Sequence, residues 1–129
     1  MIKKILSMLA EETSIYDTSQ FQNQNRIVFK NLIIDSDERT VHKKDQNIKF
    51  TFTEFEILYL LAKNPGRVFS KEQIYNMVWK EPCIGDYNIV MSHIQNIRKK
   101  IEDDSRNPVY IQTVWGVGYR FNKEIGSNL

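Results

Sequence analysis

The hydrophobic and polar positions of this chain change their period along its length. Short β-rich runs come first, at residues 27–29, 32–34, 40–43 and 47–50, and polar turn residues separate them. Short runs with frequent turn signals are typical of an antiparallel meander. The pattern therefore predicts a four-stranded sheet at the start of the domain.

Two helical segments follow, and each begins with a capping box. Thr53 and Glu56 can each accept the backbone N–H of the other, and an Asn-Pro-Gly sequence ends this first helix. Ser70 and Gln73 form the second box, and Pro82 ends the second helix. The capping boxes therefore predict two helices in succession.

A third helix and a hairpin complete the pattern. The helix opens at Gly85-Asp86, and one face of it is apolar, at Val90, Ile94, Ile97 and Ile101. Strand-like arms at 109–114 and 119–121 then flank a glycine-bearing turn. Four strands, three helices and a hairpin predict an α+β winged helix-turn-helix, in which the third helix can enter a major groove. We expect this domain to span residues 26–122, with a linker at 1–25 and a tail at 123–129.

Composition excludes several other classes of protein. The 129 residues are 41% apolar and carry a net charge of +2, which argues against a polycationic tail or a disordered chain. Cys83 is the single cysteine, so neither an intramolecular disulfide nor a multi-cysteine zinc site can form. The apolar stretch near Met1 is too short for a secretory signal, and no run is long enough to span a membrane. We therefore expect a cytoplasmic location.

The face of the third helix opposite its apolar stripe carries side chains that can bind DNA. Asn and Gln can form paired hydrogen bonds with adenine, and a methionine can contact a thymine methyl group. Basic groups at the end of the helix suit phosphates, although a polar helix face is more often simply solvated. We expect Met91, Ser92, Gln95 and Asn96 to read bases, and Asn88, Arg98, Lys99 and Lys100 to contact the backbone.

The hairpin adds a second candidate surface. An aromatic residue at an exposed turn reduces solubility unless it packs or binds something. Trp115 stands at such a turn, with Thr113, Tyr119 and Arg120 on the arms. Together with the third helix these residues predict a nucleic-acid surface, and the alternative is a hairpin folded back on the core.

Enzymatic chemistry has little support in the sequence. Gly116 and Gly118 lie in a hairpin and not before a helix, so they do not form a phosphate-cradling loop. His42 and His93 have no evident nucleophile or set of metal ligands beside them. We expect no catalytic residue, metal, cofactor or small-molecule substrate. A winged helix that binds only protein remains the alternative function.

Five segments carry a resemblance to a known family. They are TEFEIL at 53–58, SKEQI at 70–74, VW at 78–79, HIQNIRKKI at 93–101 and YIQTVWGVGYRF at 110–121. With them, about three quarters of the chain resembles the DNA-binding effector domain of OmpR/PhoB-type two-component response regulators. The resemblance implies a winged helix with an N-terminal sheet, which binds duplex DNA as a tandem homodimer on direct repeats.

The resemblance also assigns roles to particular positions. Trp79, His93, Arg98 and Tyr119 match positions that touch or flank phosphates, and Thr113 matches a wing residue near the DNA. The loop between the second and third helices would face RNA polymerase. Its residues are Lys80, Glu81, Pro82, Cys83, Ile84 and Gly85.

Three departures from the family pattern remove charge from the expected interface. Asn88-Ile89 stands where a basic residue and a threonine are common, Gln95-Asn96 replaces a pair containing arginine, and Trp115 replaces the wing arginine of some members. Fewer cations predict a shallow dependence of binding on salt. Asn96 would favour adenine where an arginine would favour guanine.

Members of the family normally carry a phosphoryl-accepting receiver domain before the effector domain. The 25 residues before the predicted domain are too few for one, so we expect no receiver in this chain. Residues 1–10 resemble the end of a receiver's last helix, and residues 11–25 resemble its linker. We favour an effector domain separated from a longer regulator, and a natural receiver-less regulator is the alternative.

Overall fold

The N-terminal part of the domain is an antiparallel sheet whose four strands follow chain order. The computed structural model describes residues 25–81 and 86–125, so most of the predicted linker, residues 82–85 and the end of the tail lie outside it. The sheet matches the predicted meander. Its strands are β1 (Arg26–Phe29), β2 (Leu32–Asp35), β3 (Thr40–Lys43) and β4 (Gln46–Ile48).

Three helices and a hairpin follow, as the sequence predicts. Phe29, Ile34 and Val41 point from the sheet into a core that all three helices and the hairpin share. This arrangement is a winged helix with an N-terminal sheet. The elements are α1 (Phe52–Ala62), α2 (Lys71–Trp79), α3 (Asn88–Ile101), β5 (Ile111–Val114) and β6 (Gly118–Phe121).

The first capping box lies two residues earlier than predicted. The Thr51 hydroxyl accepts the N–H of Glu54 at 3.1 Å, and the Glu54 carboxylate accepts the N–H of Thr51 at 3.0 Å. The predicted box at Thr53 and Glu56 is therefore wrong. Both threonines fit the motif, but Glu54 is buried, whereas the Glu56 side chain is 31% exposed and pairs with Arg39 in the turn between β2 and β3.

The second capping box is confirmed. The Ser70 hydroxyl accepts the N–H of Gln73 at 3.0 Å, and the Gln73 side chain accepts the N–H of Ser70 at 2.9 Å. The third helix begins at Asn88, later than predicted, and has no side-chain cap. Instead the Asp86 carboxylate accepts the N–H of Asn88 at 2.8 Å.

The apolar stripe of α3 is confirmed as its core face. All four predicted residues are at most 1% exposed, and α3 packs through them against α1 and α2. The opposite face is therefore free to meet a partner. The buried positions are Val90, Ile94, Ile97 and Ile101.

The hairpin is tied to the start of α2 by a two-residue bridge. Phe69 and Tyr119 each donate a backbone N–H to the carbonyl of the other, at 2.8 and 2.9 Å. Next to this bridge Gly118 lies so close that an added Cβ would sit 2.0 Å from the Phe69 carbonyl oxygen. The first residue of β6, next to the turn, therefore tolerates no side chain.

Two glycine substitutions test this close approach. We expect Gly118→Ala to lower the free energy of unfolding by about 3 kcal/mol or more, because the clash is with backbone. The added methyl group of Gly116→Ala meets open space at the hairpin turn. We expect this variant to lose only about 1–2 kcal/mol of stability, because alanine disfavours the left-handed φ of 79°. Urea unfolding measures both changes, and equal losses would contradict the clash.

The buried Glu54 carboxylate makes stability depend on pH. Burial raises the pKa of Glu54, but hydrogen bonds from Lys100 and Thr51 outweigh burial and bring the pKa below 4.5. A carboxylate whose folded pKa is depressed stabilises the fold above its unfolded pKa, and this contribution is lost as pH falls through the folded pKa. We expect the stability difference between the wild type and Glu54→Gln to be constant above about pH 6 and to shrink towards pH 3. Urea unfolding across this range measures it, and a constant difference would contradict the assignment.

Candidate nucleic-acid interface

The exposed face of α3 is polar in the middle and apolar at its margins. Ile89 is 43% exposed and Met91 is 38% exposed, one on each margin. Between them lie the predicted polar residues, all exposed. The structure therefore brings most of the predicted helix residues together on one surface. These polar residues are Asn88, Ser92, Gln95, Asn96 and Lys99.

Arg98 does not belong to this exposed face. Its guanidinium is buried and donates to the carbonyl oxygen of Ile111 at 2.9 Å and to the hydroxyl of Thr113 at 2.8 Å. The predicted contact of Arg98 with the DNA backbone stays a prediction, because its guanidinium is turned towards the hairpin in this structure. Burial is the main cause that lowers the pKa of Arg98 from its ordinary value, against opposing charge effects of Tyr119 and Glu102. In the free domain Arg98 fixes the wing to α3.

Glu102 completes this attachment, and the sequence analysis missed it. Its buried carboxylate accepts the N–H groups of Val109, Tyr110 and Ile111 at 2.6 to 3.1 Å. A carboxylate at a helix C-terminus is electrostatically unfavourable unless it has donors nearby. The position of Glu102 directly after the third helix could therefore have indicated such a role. Glu102 therefore binds the N–H groups of this segment, and Arg98 binds the carbonyl oxygen of Ile111. Together they attach β5 and the residues before it to the end of α3.

Lys100 also lies away from the exposed face. Its ammonium group is 2.5 Å from the Glu54 carboxylate and 5.3 Å from the centre of the Phe50 ring. Lys100 differs from its neighbour Lys99 because successive residues of a helix point about 100° apart, and its predicted contact with the DNA backbone stays a prediction. Lys99, between two inward-turned neighbours, is the exposed cation of the three.

Trp79 and His93 form an aromatic cluster beside α3. Trp79 stacks on Tyr75 with ring centres 4.5 Å apart, and the imidazole of His93 lies 5.7 Å from the Trp79 ring. Nδ1 of His93 is buried and finds no hydrogen-bond partner among the described residues. Both predicted residues are half-buried and close to one another.

The hairpin does not fold back on the core at its tip. Trp115 is 89% exposed and Val117 is 58% exposed. On the arms, the Thr113 hydroxyl accepts a hydrogen bond from Arg98, and Arg120 donates to the side chain of Gln112 at 2.9 Å. Tyr119 is only 8% exposed, with the Arg98 guanidinium 5.6 Å from its ring centre. The turn of the hairpin is therefore exposed, whereas Tyr119 and the ends of the two arms are buried in the core.

The predicted polymerase-facing loop is described only at its start. Lys80 ends α2 in a left-handed conformation with φ 59°, and Glu81 accepts the hydroxyl of Tyr75 at 3.3 Å. Pro82, Cys83, Ile84 and Gly85 lie outside the described residues. Their expected role stays a prediction.

Within residues 25–81 and 86–125, no group of three or more His, Cys, Asp or Glu side chains could hold a metal ion. None of the helices described is long and apolar enough to cross a membrane.

Comparison with known proteins identifies the family. The family described as the C-terminal part of transcriptional regulatory proteins matches residues 45–121. The chain belongs to this family. It is also 46% identical over 92 residues to the uncharacterized transcriptional regulatory protein YcbL of Bacillus subtilis, a match that covers 71% of this chain and 41% of YcbL. Residues 45–121 thus form the C-terminal domain that transcriptional regulatory proteins of this family share.

Solved structures agree with this membership. The response regulator DrrB of Thermotoga maritima, an OmpR/PhoB homologue, matches with a TM-score of 0.71 and 38% identity, over 81% of this chain and 49% of DrrB. The DNA-binding domain of Klebsiella pneumoniae RstA, in complex with the RstA box, matches with a TM-score of 0.70 and 28% identity, over 75% of this chain and 96% of that domain. The fold is thus an OmpR/PhoB-type winged helix. The chain spans half or less of the length of YcbL and DrrB.

The attachment of the wing can be tested by removing Arg98. We expect Arg98→Met to lower the free energy of unfolding by about 2 kcal/mol, because it leaves the Ile111 carbonyl without its donor. Amide exchange in β5 and β6 should accelerate as well. Arg106→Met is the matched control, since Arg106 is 89% exposed and should change stability by no more than about 0.5 kcal/mol. Equal effects of the two substitutions on stability and exchange would contradict the role of Arg98.

Proposed function

We propose that this effector domain binds double-stranded DNA in a sequence-specific manner to regulate transcription. One observation carries the proposal: α3 buries its apolar stripe completely and presents a continuous face of Asn, Gln and Ser beside an exposed, rigidly attached wing. A major groove admits an α-helix, and these side chains match the donors and acceptors of base edges. The RstA complex with its box supports DNA binding by this fold.

The residues of the exposed face divide into two roles. Gln95 and Asn96 each offer a paired donor and acceptor that suit adenine, and Ser92 can bond to several bases. Met91, at the margin, suits a thymine methyl group. Lys99 supplies a phosphate contact, with Asn88 at the start of the helix as a further backbone contact. We therefore expect an operator rich in A·T pairs.

The half-buried and buried residues act mainly by positioning. The cluster of Trp79 and His93 supports α3 and can meet the backbone at its edge, where the His93 Nδ1 still has no partner among the described residues. Arg98 and Tyr119 set the angle of the wing, and Lys100 holds α1. Trp115, Thr113 and Arg120 form the wing surface.

The remaining features of the proposal rest on the resemblance to OmpR/PhoB-type regulators. The domain, at residues 26–122, would act as a tandem homodimer on direct repeats, and the loop at 80–85 would face RNA polymerase. Residues 1–25 would link it to a receiver, and residues 123–129 would be a tail. We propose a cytoplasmic location and no enzymatic activity.

A protein-binding role is the second candidate. Ile89, Met91, Trp115 and Val117 expose apolar surface on the proposed DNA side, and Lys99 is the exposed cation of the α3 C-terminus. A neutral, apolar patch suits a protein partner as well as bases. A mobility shift that depends on salt would favour DNA.

An unbiased selection of duplex DNA on this chain at moderate salt tests the proposal. We expect a direct repeat with half-sites about one helical turn apart. Enrichment of one half-site would retain DNA binding and remove the tandem dimer. A folded chain that enriches no sequence would overturn the proposal and favour the protein-binding role.

Asn96→Ala tests the base-reading role. We expect a loss of about 1–3 kcal/mol in binding and relaxed discrimination at one base pair of the selected operator. Titration against operators that carry each base at each position measures both effects. Unchanged discrimination at every position would show that Asn96 does not read a base.

Two neighbouring lysines form a matched pair for the phosphate contact. Lys99→Ala should weaken binding to all sequences equally and reduce the salt slope by about 1. Lys100→Ala removes the same charge, but its ammonium group already pairs with Glu54, so it should lower stability and leave the slope nearly unchanged. Binding titrations at several salt concentrations compare them, and a larger slope change for Lys100→Ala would reverse the assignment.

A further inference from the structure

The outer face of the N-terminal sheet carries a pair of aliphatic side chains. Phe29, Ile34 and Val41 point into the core, so the residues that alternate with them point away from the helices. Val28 and Ile33 are two of these, and they lie opposite each other on β1 and β2. Both are half-buried. Polar residues are typical of the solvated face of an antiparallel sheet, so this pair interrupts the expected pattern.

A groove of about 400 Å³ opens beside Ile33 on this face. Thr40 and His42 line it along β3, and Arg26 lines it at the start of β1. The groove therefore has an aliphatic wall and an acidic rim. The rim consists of the three carboxylates at the end of β2 and in the turn after it, Asp35, Asp37 and Glu38.

Hydrogen bonds hold the rim in place. The Asp35 carboxylate accepts the N–H of Asp37 at 2.9 Å and the N–H of Glu38 at 3.0 Å. The Arg26 guanidinium lies 3.8 Å from the other oxygen of the same carboxylate. A preformed site of this kind loses little conformational freedom when it is filled.

The chain enters the domain next to this groove. The carbonyl of Asn25 accepts the N–H of Ser36 at 2.8 Å and the Ser36 hydroxyl at 3.1 Å. These two bonds fix the first described residue beside the turn that carries the acidic rim. Twenty-four residues precede it in the sequence. The residues directly before Asn25 are therefore tethered close to the groove.

Phe21 is near enough in the sequence to reach the groove. Residues 18–24 read TSQFQNQ, in which Phe21 is the single apolar side chain. Four residues separate it from Asn25, a span of about 13 Å when the chain is extended. The groove lies on the two strands after β1, within about 10 Å of it, because neighbouring strands are about 4.8 Å apart.

Charge favours this segment over the one before it. Residues 11–17 include three carboxylates, which the acidic rim would repel. Residues 18–24 carry no charge, and their four amide side chains bring N–H donors that suit carboxylates.

We propose that Phe21 packs in this groove against Ile33 and Val28, so that residues 18–24 fold back over the outer face of the sheet. This face points away from the helices, so the contact is independent of the proposed DNA binding. Docking leaves residues 11–17 as the free part of the linker. Whatever precedes the linker is then held on a shorter tether, which starts from the outer face of the sheet.

Urea unfolding of the 129-residue chain tests the contact. We expect Phe21→Ser to lower the equilibrium constant for folding about fivefold, because the ring leaves an apolar site for water. Tyr16→Ser is the matched control, since it removes an aromatic ring outside the docking segment, and its effect should stay within about twofold. In an Ile33→Thr background, which keeps a β-branched side chain in the strand, Phe21→Ser should also cost no more than about twofold. Equal effects of Phe21→Ser and Tyr16→Ser, or a fivefold effect in both backgrounds, would overturn the proposal.

Nuclear Overhauser effects identify the occupant of the groove. In the folded chain we expect contacts from the Phe21 ring protons to the methyl groups of Ile33 and Val28, and Phe21→Leu should remove these signals. Contacts from Tyr16 instead, or contacts between labelled and unlabelled chains in a mixed sample, would assign the groove to another segment or to a second copy and overturn the proposal. Absence of any aromatic contact would overturn it as well. Both experiments omit DNA, so their failure leaves the proposed function untouched.

Discussion

The buried attachment of the hairpin to the end of α3 sets the geometry of the whole interface. Glu102 accepts the N–H groups of Val109, Tyr110 and Ile111, and Arg98 donates to the carbonyl of Ile111 and to Thr113. Both side chains are charged, and both are nearly covered, so each stabilises the fold only with its hydrogen bonds complete. The same contacts that satisfy them fix the wing relative to α3. Stability and the shape of the proposed DNA-binding surface therefore depend on the same few hydrogen bonds.

The three consecutive cations at the end of α3 show how a fold distributes charge. Arg98 points to the wing, Lys100 points to the start of α1, and Lys99 is exposed. Because a helix turns about 100° per residue, neighbours in sequence meet different parts of the protein. The interface consequently carries less charge than the sequence suggests. Affinity would then depend more on contacts with bases, which distinguish sequences, than on phosphates, which do not.

Much of the fold and part of the site could be predicted from the sequence. The strand and helix order, the stripe of Val90, Ile94, Ile97 and Ile101, and the box at Ser70 follow from local periodicity and capping chemistry, which act over a few residues. The exposed face of α3 follows from the same periodicity. The start of α1 did not follow, since Thr51 and Thr53 both satisfy the motif locally.

Only the tertiary structure decided between such alternatives. Thr51 is the cap because Glu54, the partner residue of its capping box, forms an ion pair with Lys100 of α3. The two residues of this ion pair are 46 positions apart, so no local pattern shows it. The tertiary structure also turned Arg98 inward and left Trp115 outward, since the hairpin returns to α3 at its base and leaves its tip free. The sequence by itself determined which elements form and which faces are apolar. Long-range contacts determined which charged side chains serve the fold and which remain for a partner, because burial depends on residues distant in the chain.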